Sequence, residues 1–404
     1  MQKEKLFTRS YIFACIGNFL NCFGFYMLLP ILPIFLIEKY RILQSHTGII
    51  LASYTFSAMI GRPIFAYFSD LFNRKTLYCL LLLIYSLLFL PYPFFEGMAF
   101  FLIIRSVHGF VFGAQSVCGN ALITDIVDEN RRGEGFGYFG ISNSIAMAAG
   151  PMAGLYIHET TYDFFWIFII AFLLCIAGFI CILEVHLPKE KKRIERTPEN
   201  KKLSFDKFFQ IKGVYAGISL ILLSYPYGLI VSFSALYGKE LGILEGTGLF
   251  FALMSAGLIL SRIFSGKIID RGKLTTAITF GIFLVSLVLT LFSAIGFVKI
   301  QNIIYIKILF YLVGLFMGLG YGITFPAFNT LFVNLSPDNR RAAASSTYLT
   351  CWDVGLGGGL ILGGIIMEKW GMSVAYSIGA ISTFVSALYF SLFVSAHFRK
   401  NKLR

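Results

Sequence analysis

The sequence predicts an all-α membrane protein of about 12 transmembrane helices arranged as two pseudo-symmetric six-helix bundles. Three observations predict it. The chain is 57% hydrophobic and only 14% charged, its apolar residues fall in long unbroken runs, and two patterns of charged residues recur in its second half. A water-soluble chain of 404 residues has no core large enough to hide 44 Phe, so lipid must be the solvent for most of this surface. A helix crosses the hydrocarbon layer with about 20 apolar residues. A β-barrel is excluded, because its strands would alternate apolar and polar residues instead of running apolar throughout.

Taken in order, the apolar runs place spans at 10–37, 45–69, 76–95, 98–126, 133–157 and 162–184, then at 213–238, 243–268, 273–298, 303–333, 341–367 and 372–397. The first run, Tyr11 to Ile37, is too long for a signal-peptide core and has no small-residue cleavage pattern, so it is expected to stay as the first span. Between the sixth and seventh runs the segment Glu184 to Lys212 carries nine Lys and Arg. The expected organisation is a first bundle over 1–188, a linker over 189–212 and a second bundle over 213–404.

The net charge of +13 is distributed as short basic clusters between apolar runs, which is a topology signal and not a nucleic-acid surface. Lys3, Lys5, Arg9, Arg74, Lys75, Arg131 and Arg132 fall on one side, with the linker, Lys267, Arg271, Lys273, Arg340, Arg341 and the basic carboxyl end. The other side has only Lys39, Arg41, Lys239, Lys299, Lys307 and Lys369. The positive-inside rule therefore puts both termini and the linker in the cytoplasm, with an even number of spans.

Seven cysteines lie in apolar stretches without CxxC spacing, and an odd number cannot all pair with one another; they are read as small hydrophobes. No phosphate-binding loop, metal-ligand cluster or nucleophile with a base partner is present in the sequence, so no cofactor, metal or enzymatic activity is expected.

The halves are related. Arg62 and Asp70 recur as Arg262 and Asp270, an offset of 200, and Asn120, Leu122 and Glu129-Asn130-Arg131-Arg132 recur as Asn329, Leu331 and Asp338-Asn339-Arg340-Arg341, an offset of 209. Two ordered matches on expected cytoplasmic loops indicate parallel six-span halves.

The stretch Ala66-Tyr67-Phe68-Ser69-Asp70-Leu71-Phe72-Asn73-Arg74-Lys75 resembles the G-x-x-x-D-x-x-G-R-K signature of the major facilitator superfamily, and the resemblance extends over nearly the whole chain. Ala66 and Asn73 depart from it where the family prefers glycine; the second copy keeps Gly266, Asp270, Arg271 and Gly272. A carboxylate at a helix end can hold a neighbouring arginine or helix amino terminus through contacts that break when bundles rock. Asp70, Arg74, Lys75, Asp270 and Arg271, with Arg62 and Arg262, are therefore candidate gating residues, against the alternative of solvated loop charges.

In the fourth span, Arg105-Ser106-Val107-His108-Gly109 is similar to the family's R-x-x-Q-G element, with His in place of Gln. An arginine in a membrane helix is costly and normally faces the bundle interior or water. Arg105, His108, Phe112 and Gln115 share one helical face, which is expected to be polar and inward. The resemblance implies proton coupling for Arg105; an interhelical tether is the structural alternative. His108 titrates near neutral pH when unperturbed and is a second coupling candidate, against a packing role.

Gly150-Pro151-Met152-Ala153-Gly154 is close to the G-P-x-x-G-G element of antiporters in the superfamily, and Leu29-Pro30-Ile31-Leu32-Pro33 resembles the paired-proline element of drug and sugar efflux members. Small residues and prolines let helices approach and bend, so Pro30, Pro33, Gly150, Pro151 and Gly154 are read as helix-packing positions, for sliding or for ordinary contact.

Mid-membrane polar side chains are the candidates for a substrate cavity: Asn18, Asn21, Tyr26, Gln115, Asn143, Tyr225, Tyr227, Tyr321 and Asn329. Asp353 lies twelve residues beyond Arg341, about 18 Å along a helix, and is a candidate for cation binding or proton exchange, or is satisfied by a neighbouring hydroxyl. The implied function is secondary active export of a small solute by alternating access in exchange for protons, by a monomer in a bacterial inner membrane with no nucleic-acid partner. Proton-coupled uptake by the same fold, or a membrane receptor or assembly factor without transport, are the alternatives.

Overall fold

A computed structural model describes residues 6–128, 131–187, 210–270, 272–298, 302–337 and 341–403, the side chains at 70, 132–133, 148, 262–270 and 341–342 excepted. All regular structure among the described residues is helical: α1 Arg9–Ile34, α2 Gln44–Leu71, α3 Arg74–Leu87, α4 Met98–Ile126, α5 Arg132–Thr161 and α6 Phe164–Leu183. After the linker come α7 Val214–Glu240, α8 Gly248–Asp270, α9 Leu274–Phe297, α10 Ile303–Asn334, α11 Arg341–Trp370 and α12 Met372–Tyr389, with a short α13 Ser395–Asn401 at the carboxyl end. Among the described residues, nine helices are long and apolar enough to cross a membrane, and Gly248–Ser261 of α8 is a shorter apolar stretch.

The helix ends have local causes. Asn73 caps α3, its side chain accepting from the Thr76 amide at 3.1 Å. Asp163 and Asn302 do the same at 2.9 Å for α6 and α10, satisfying amides that have no intrahelical partner. α3 stops at Leu87 and not near residue 95, because Pro91 and Pro93 cannot continue a helix and disfavour it in the residues before them. Gly97 and Gly371, with φ of 98° and 87°, supply left-handed corners before α4 and α12.

Pro63, Pro151, Pro226 and Pro326 lie inside α2, α5, α7 and α10. Each removes one backbone hydrogen bond, a loss that neighbouring helices can compensate within a membrane.

Contacts gather the chain into two compact units, Met1–Ile31 with Phe56–Leu203 and Leu32–Thr55 with Ser204–Arg404. The division passes through α1 and α2. In the first unit α3 packs on α4 and α6. In the second, α8 packs on α10, α7 on α11, and α9 on α10 and α12.

One close helix packing occurs in both units. In the first, a Cβ on Gly150 would lie 3.1 Å from the Phe23 carbonyl oxygen, and one on Gly154 would strike that of Met27. In the second, Gly355 and Gly359 meet the carbonyls of Ile221 and Tyr225 in the same way. Each pair of glycines, four apart, laps two carbonyls that are also four apart, so α1 runs alongside α5 as α7 runs alongside α11. Only glycine lets backbones come this close.

Candidate functional site

At the α2–α3 corner of the first unit, the Arg74 guanidinium donates to Asp125 of α4 at 2.7 Å and to the Ser69 carbonyl at 3.3 Å. Lys75 donates to the Leu183 carbonyl at 2.7 Å, holding the end of α6. The corner residues are thus tied to the ends of α4 and α6. Asn73, where the family prefers glycine, supplies the α3 cap instead of a flexible turn. Arg62 is half-buried on α2. The side chains of Asp70, Arg262 and Asp270, and the whole of Arg271, lie outside those described. Sequence reasoning missed Asp125; its signal was a lone carboxylate three residues before the Asp128-Glu129 pair, on a helix turn rather than in the loop.

The polar face of α4 lies inside the first unit. Arg105 is 3% exposed and His108 is fully buried. His108 Nδ1 is 3.2 Å from the Tyr92 hydroxyl, and Arg105 is within hydrogen-bonding reach of the same hydroxyl. The rings of Tyr85 and Phe89 stand edge-on to the imidazole at 4.4 and 4.6 Å, and Tyr92 stacks on Phe168 of α6 at 5.2 Å. His108 therefore faces α3 and the turns that follow it. Tyr92, which was not singled out from the sequence, connects the two α4 residues because the prolines on either side of it end α3 and turn the chain back toward α4.

Four residues further along α4, Phe112 stacks on Phe25 of α1 at 4.9 Å. Gln115 is 2% and Asn21 4% exposed. Asn18 donates to Ser142 of α5 at 2.9 Å. Tyr26 lies against Gly150, its Cβ 2.7 Å from where a Cβ would be, and Pro30, Pro33 and Pro151 are buried. Asn143 is exposed.

The second unit holds an aromatic cluster formed by α7, α10 and α11. Tyr227 meets Tyr321 at 4.9 Å, Phe325 at 5.2 Å and Trp352 at 4.9 Å, and Phe325 meets Trp352 edge-on at 4.1 Å. Tyr321 is fully buried and its hydroxyl donates to the Leu223 carbonyl at 3.4 Å. Asp353, next to Trp352, is 5% exposed. A buried carboxylate on the helix that supplies Trp352 to this edge-on and tilted cluster is suited to a cation, since ring faces and negative charge both attract one. Tyr225 is half-buried, with no hydrogen bond to its hydroxyl among the described residues, and Asn329 is exposed.

In the same unit Lys239 pairs with Glu38 at 2.7 Å, and Glu368 accepts from the Ser45 amide at 3.1 Å, capping α2. A cavity of about 390 Å³ lies beside them, lined by Arg41, Gln44 and Glu368 among others.

A family model described as the Major Facilitator Superfamily matches residues 14–357 and 282–404. A multidrug resistance protein, MdtG, of Escherichia coli is 25% identical over 405 residues, covering 94% of this chain and 93% of that one. A staphylopine export protein of Staphylococcus aureus is 23% identical over 336 residues, covering 80% of this chain and 82% of that one. In three dimensions the chain superposes on a crystal structure of the nucleoside transporter NupG with a TM-score of 0.77 at 14% identity, covering 95% of this chain and 99% of the other.

Proposed function

The chain belongs to the Major Facilitator Superfamily, and from that premise we propose that it exports a small solute by alternating access in exchange for protons. It is a multi-pass membrane transporter whose relatives include drug and metabolite efflux proteins. The observation that carries proton exchange is the placing of Arg105 and His108 on one buried hydroxyl, that of Tyr92. A permanent cation within a span is costly, and is kept where charge movement is part of the work. Beside it, an imidazole is the side chain whose ordinary titration falls near neutral pH.

On this reading the solute binds at the aromatic cluster of the second unit, with Trp352 and Tyr227 as walls and Asp353 as the charged contact. Export, rather than uptake, is supported by the names of the relatives and by the resemblance of the Gly150–Gly154 and Pro30–Pro33 elements to those of antiporters and efflux members. Bundles over 1–188 and 213–404 rock about a cytoplasmic linker over 189–212, with both termini cytoplasmic, and Asp70 with Arg74, Lys75 and Asp125 forms the latch on that side. The protein works as a monomer in a bacterial inner membrane, without cofactor or catalytic step.

The test is transport by the purified protein in liposomes with an imposed pH gradient, using tetracycline and ethidium as first probes. Exchange predicts that the probe accumulates in vesicles acidified inside, as protons leave. Accumulation only in vesicles acidified outside would replace export with uptake. If neither gradient drives any compound of a wider panel, and Arg105→Ala leaves the cellular resistance phenotype unchanged, the reading fails.

A further inference from the structure

The polar groups inside the first unit form a column along α4, interrupted once. α1 runs alongside α5 in the same direction, since Phe23 meets Gly150 and Met27 meets Gly154. The short turn between α4 and α5 makes those two run oppositely, so α1 and α4 are antiparallel. Moving four residues back from Phe25 and three residues forward from Phe112 is therefore the same direction along the unit, by about 6 and 4.5 Å at 1.5 Å per residue. Asn21 and Gln115 thus sit at one level, directly beyond the Phe25–Phe112 stack. His108 and Tyr92 sit one turn before it.

Both amides are more than nine-tenths buried. Among the described residues, Asn21 Oδ1, Gln115 Oε1 and Gln115 Nε2 have no hydrogen-bond partner. Three unmet atoms at one level in a core are what a buried water requires, since such waters make about three hydrogen bonds to groups that would otherwise go unsatisfied. Leaving all three unmet would cost about 1–3 kcal/mol for each group, so solvation is the cheaper state. On the far side, Asn18 and Ser142 extend the line of polar groups by another turn of α1.

We propose that Asn21 and Gln115 hold water within the first unit and that this water is a station on a proton path. The path runs from Tyr92 and His108, past the Phe25–Phe112 stack, to Asn21, Gln115 and Asn18, apart from the solute site in the second unit. The stack is its plug: the two apolar rings in contact offer no hydrogen-bonding atom of their own between the two polar levels, and the rings of Tyr26 and Tyr85 border them at 5.2 and 6.1 Å. A proton taken by one ring nitrogen of His108 is released from the other, and the waters pass it on by exchanging O–H bonds, so neither amide gains or loses a proton. Charged and titratable groups around His108 are Arg105 on its own helix and Tyr85 and Tyr92 from the α3 side. The direction of flow rests on the proton-exchange reading; the hydration and the plug do not.

Two measurements test it on the full-length protein. Synchrotron radiolysis of the wild type labels side chains beside bound water, so Cys22 and Cys118, on the same turns as the two amides, should be oxidised, and Gln115→Leu should remove that labelling. In liposomes with an imposed pH gradient and no solute, a trapped pH dye should report faster proton entry for Phe112→Ala than for wild type. The double variant Phe112→Ala/Gln115→Leu should return the rate to the wild-type value. Phe112→Val serves as the milder opening if Phe112→Ala is not monodisperse. Absence of labelling at both cysteines overturns the water site, and labelling without added proton entry in either opened variant overturns the path. If labelling and leak both appear while no probe is exchanged for protons, the export reading fails and the path stands.

Discussion

Arg74, in the first turn of α3, is paired at 2.7 Å with Asp125, near the end of α4. Each side chain is about one-third exposed, at 30% and 34%, so the pair contributes no more than about 0.5–1 kcal/mol to stability. Its value lies in what it connects, the motif-bearing corner and the helix that carries Arg105 and His108.

Asp125→Asn is therefore expected to leave the unfolding temperature in detergent nearly unchanged while lowering the transport rate. The reversed pair, Arg74→Asp with Asp125→Arg, should recover part of that rate. Equal losses of stability and transport would make the pair a structural strut instead of a gate.

The lapped glycines should tolerate no side chain. Gly154→Val and Gly359→Val drive a branched side chain into the Met27 and Tyr225 carbonyls, a backbone shift expected to cost about 1–3 kcal/mol. Both variants should lower the thermal unfolding midpoint, whereas Gly358→Ala, which has open space at its Cβ position, should not.

His108 separates packing from hydrogen bonding. His108→Gln restores the family's residue and keeps a polar partner for Tyr92, so stability should stay near wild type. His108→Leu leaves that contact unmade in a dry setting and should cost about 1 kcal/mol. Comparing proton-driven transport of the two at several external pH values reads coupling separately from folding: loss in both, with folding intact in the Gln variant, assigns the imidazole to proton transfer.

Trp352→Ala removes two ring contacts, to Phe325 at 4.1 Å and to Tyr227 at 4.9 Å. Aromatic pairs of this kind contribute about 0.5–1.5 kcal/mol each, so the unfolding midpoint should fall; an aromatic solute that packs on Trp352 loses one such pair as well, and its apparent affinity should fall up to about tenfold. Asp353→Asn should weaken cationic solutes and spare neutral ones. An unchanged KM for cations would remove Asp353 from the solute site.

The span pattern was legible because the lipid requirement acts on every residue of a run at once. The end of α3 was legible only in hindsight: Pro91 and Pro93 stop it, but the apolar side chains around them read as a continuing span. Helical spacing groups Arg105, His108, Phe112 and Gln115 on one face, of which Arg105, His108 and Gln115 are buried and Phe112 half-buried. Periodicity states which residues share a face, not what the face meets, and so it could not reveal that Tyr92 and Phe25 lie opposite. Asp125 was overlooked for a similar reason, since its partner, Arg74, is 51 residues away and nothing local to either marks the pairing.

The two lapped helix pairs carry a mechanical consequence. Where backbone rests on backbone, with little more than Tyr26 Cβ and Ser224 Oγ beside the glycines, there is little to re-pack when a load is applied, and shear along the seam would have to lift one helix off the other. α1 with α5, and α7 with α11, should behave as stiff double beams. Bending is then left to the ends of those beams, and the wide helical turn at Phe35–Lys39, just past Pro30 and Pro33, is where α1 has the compliance to flex.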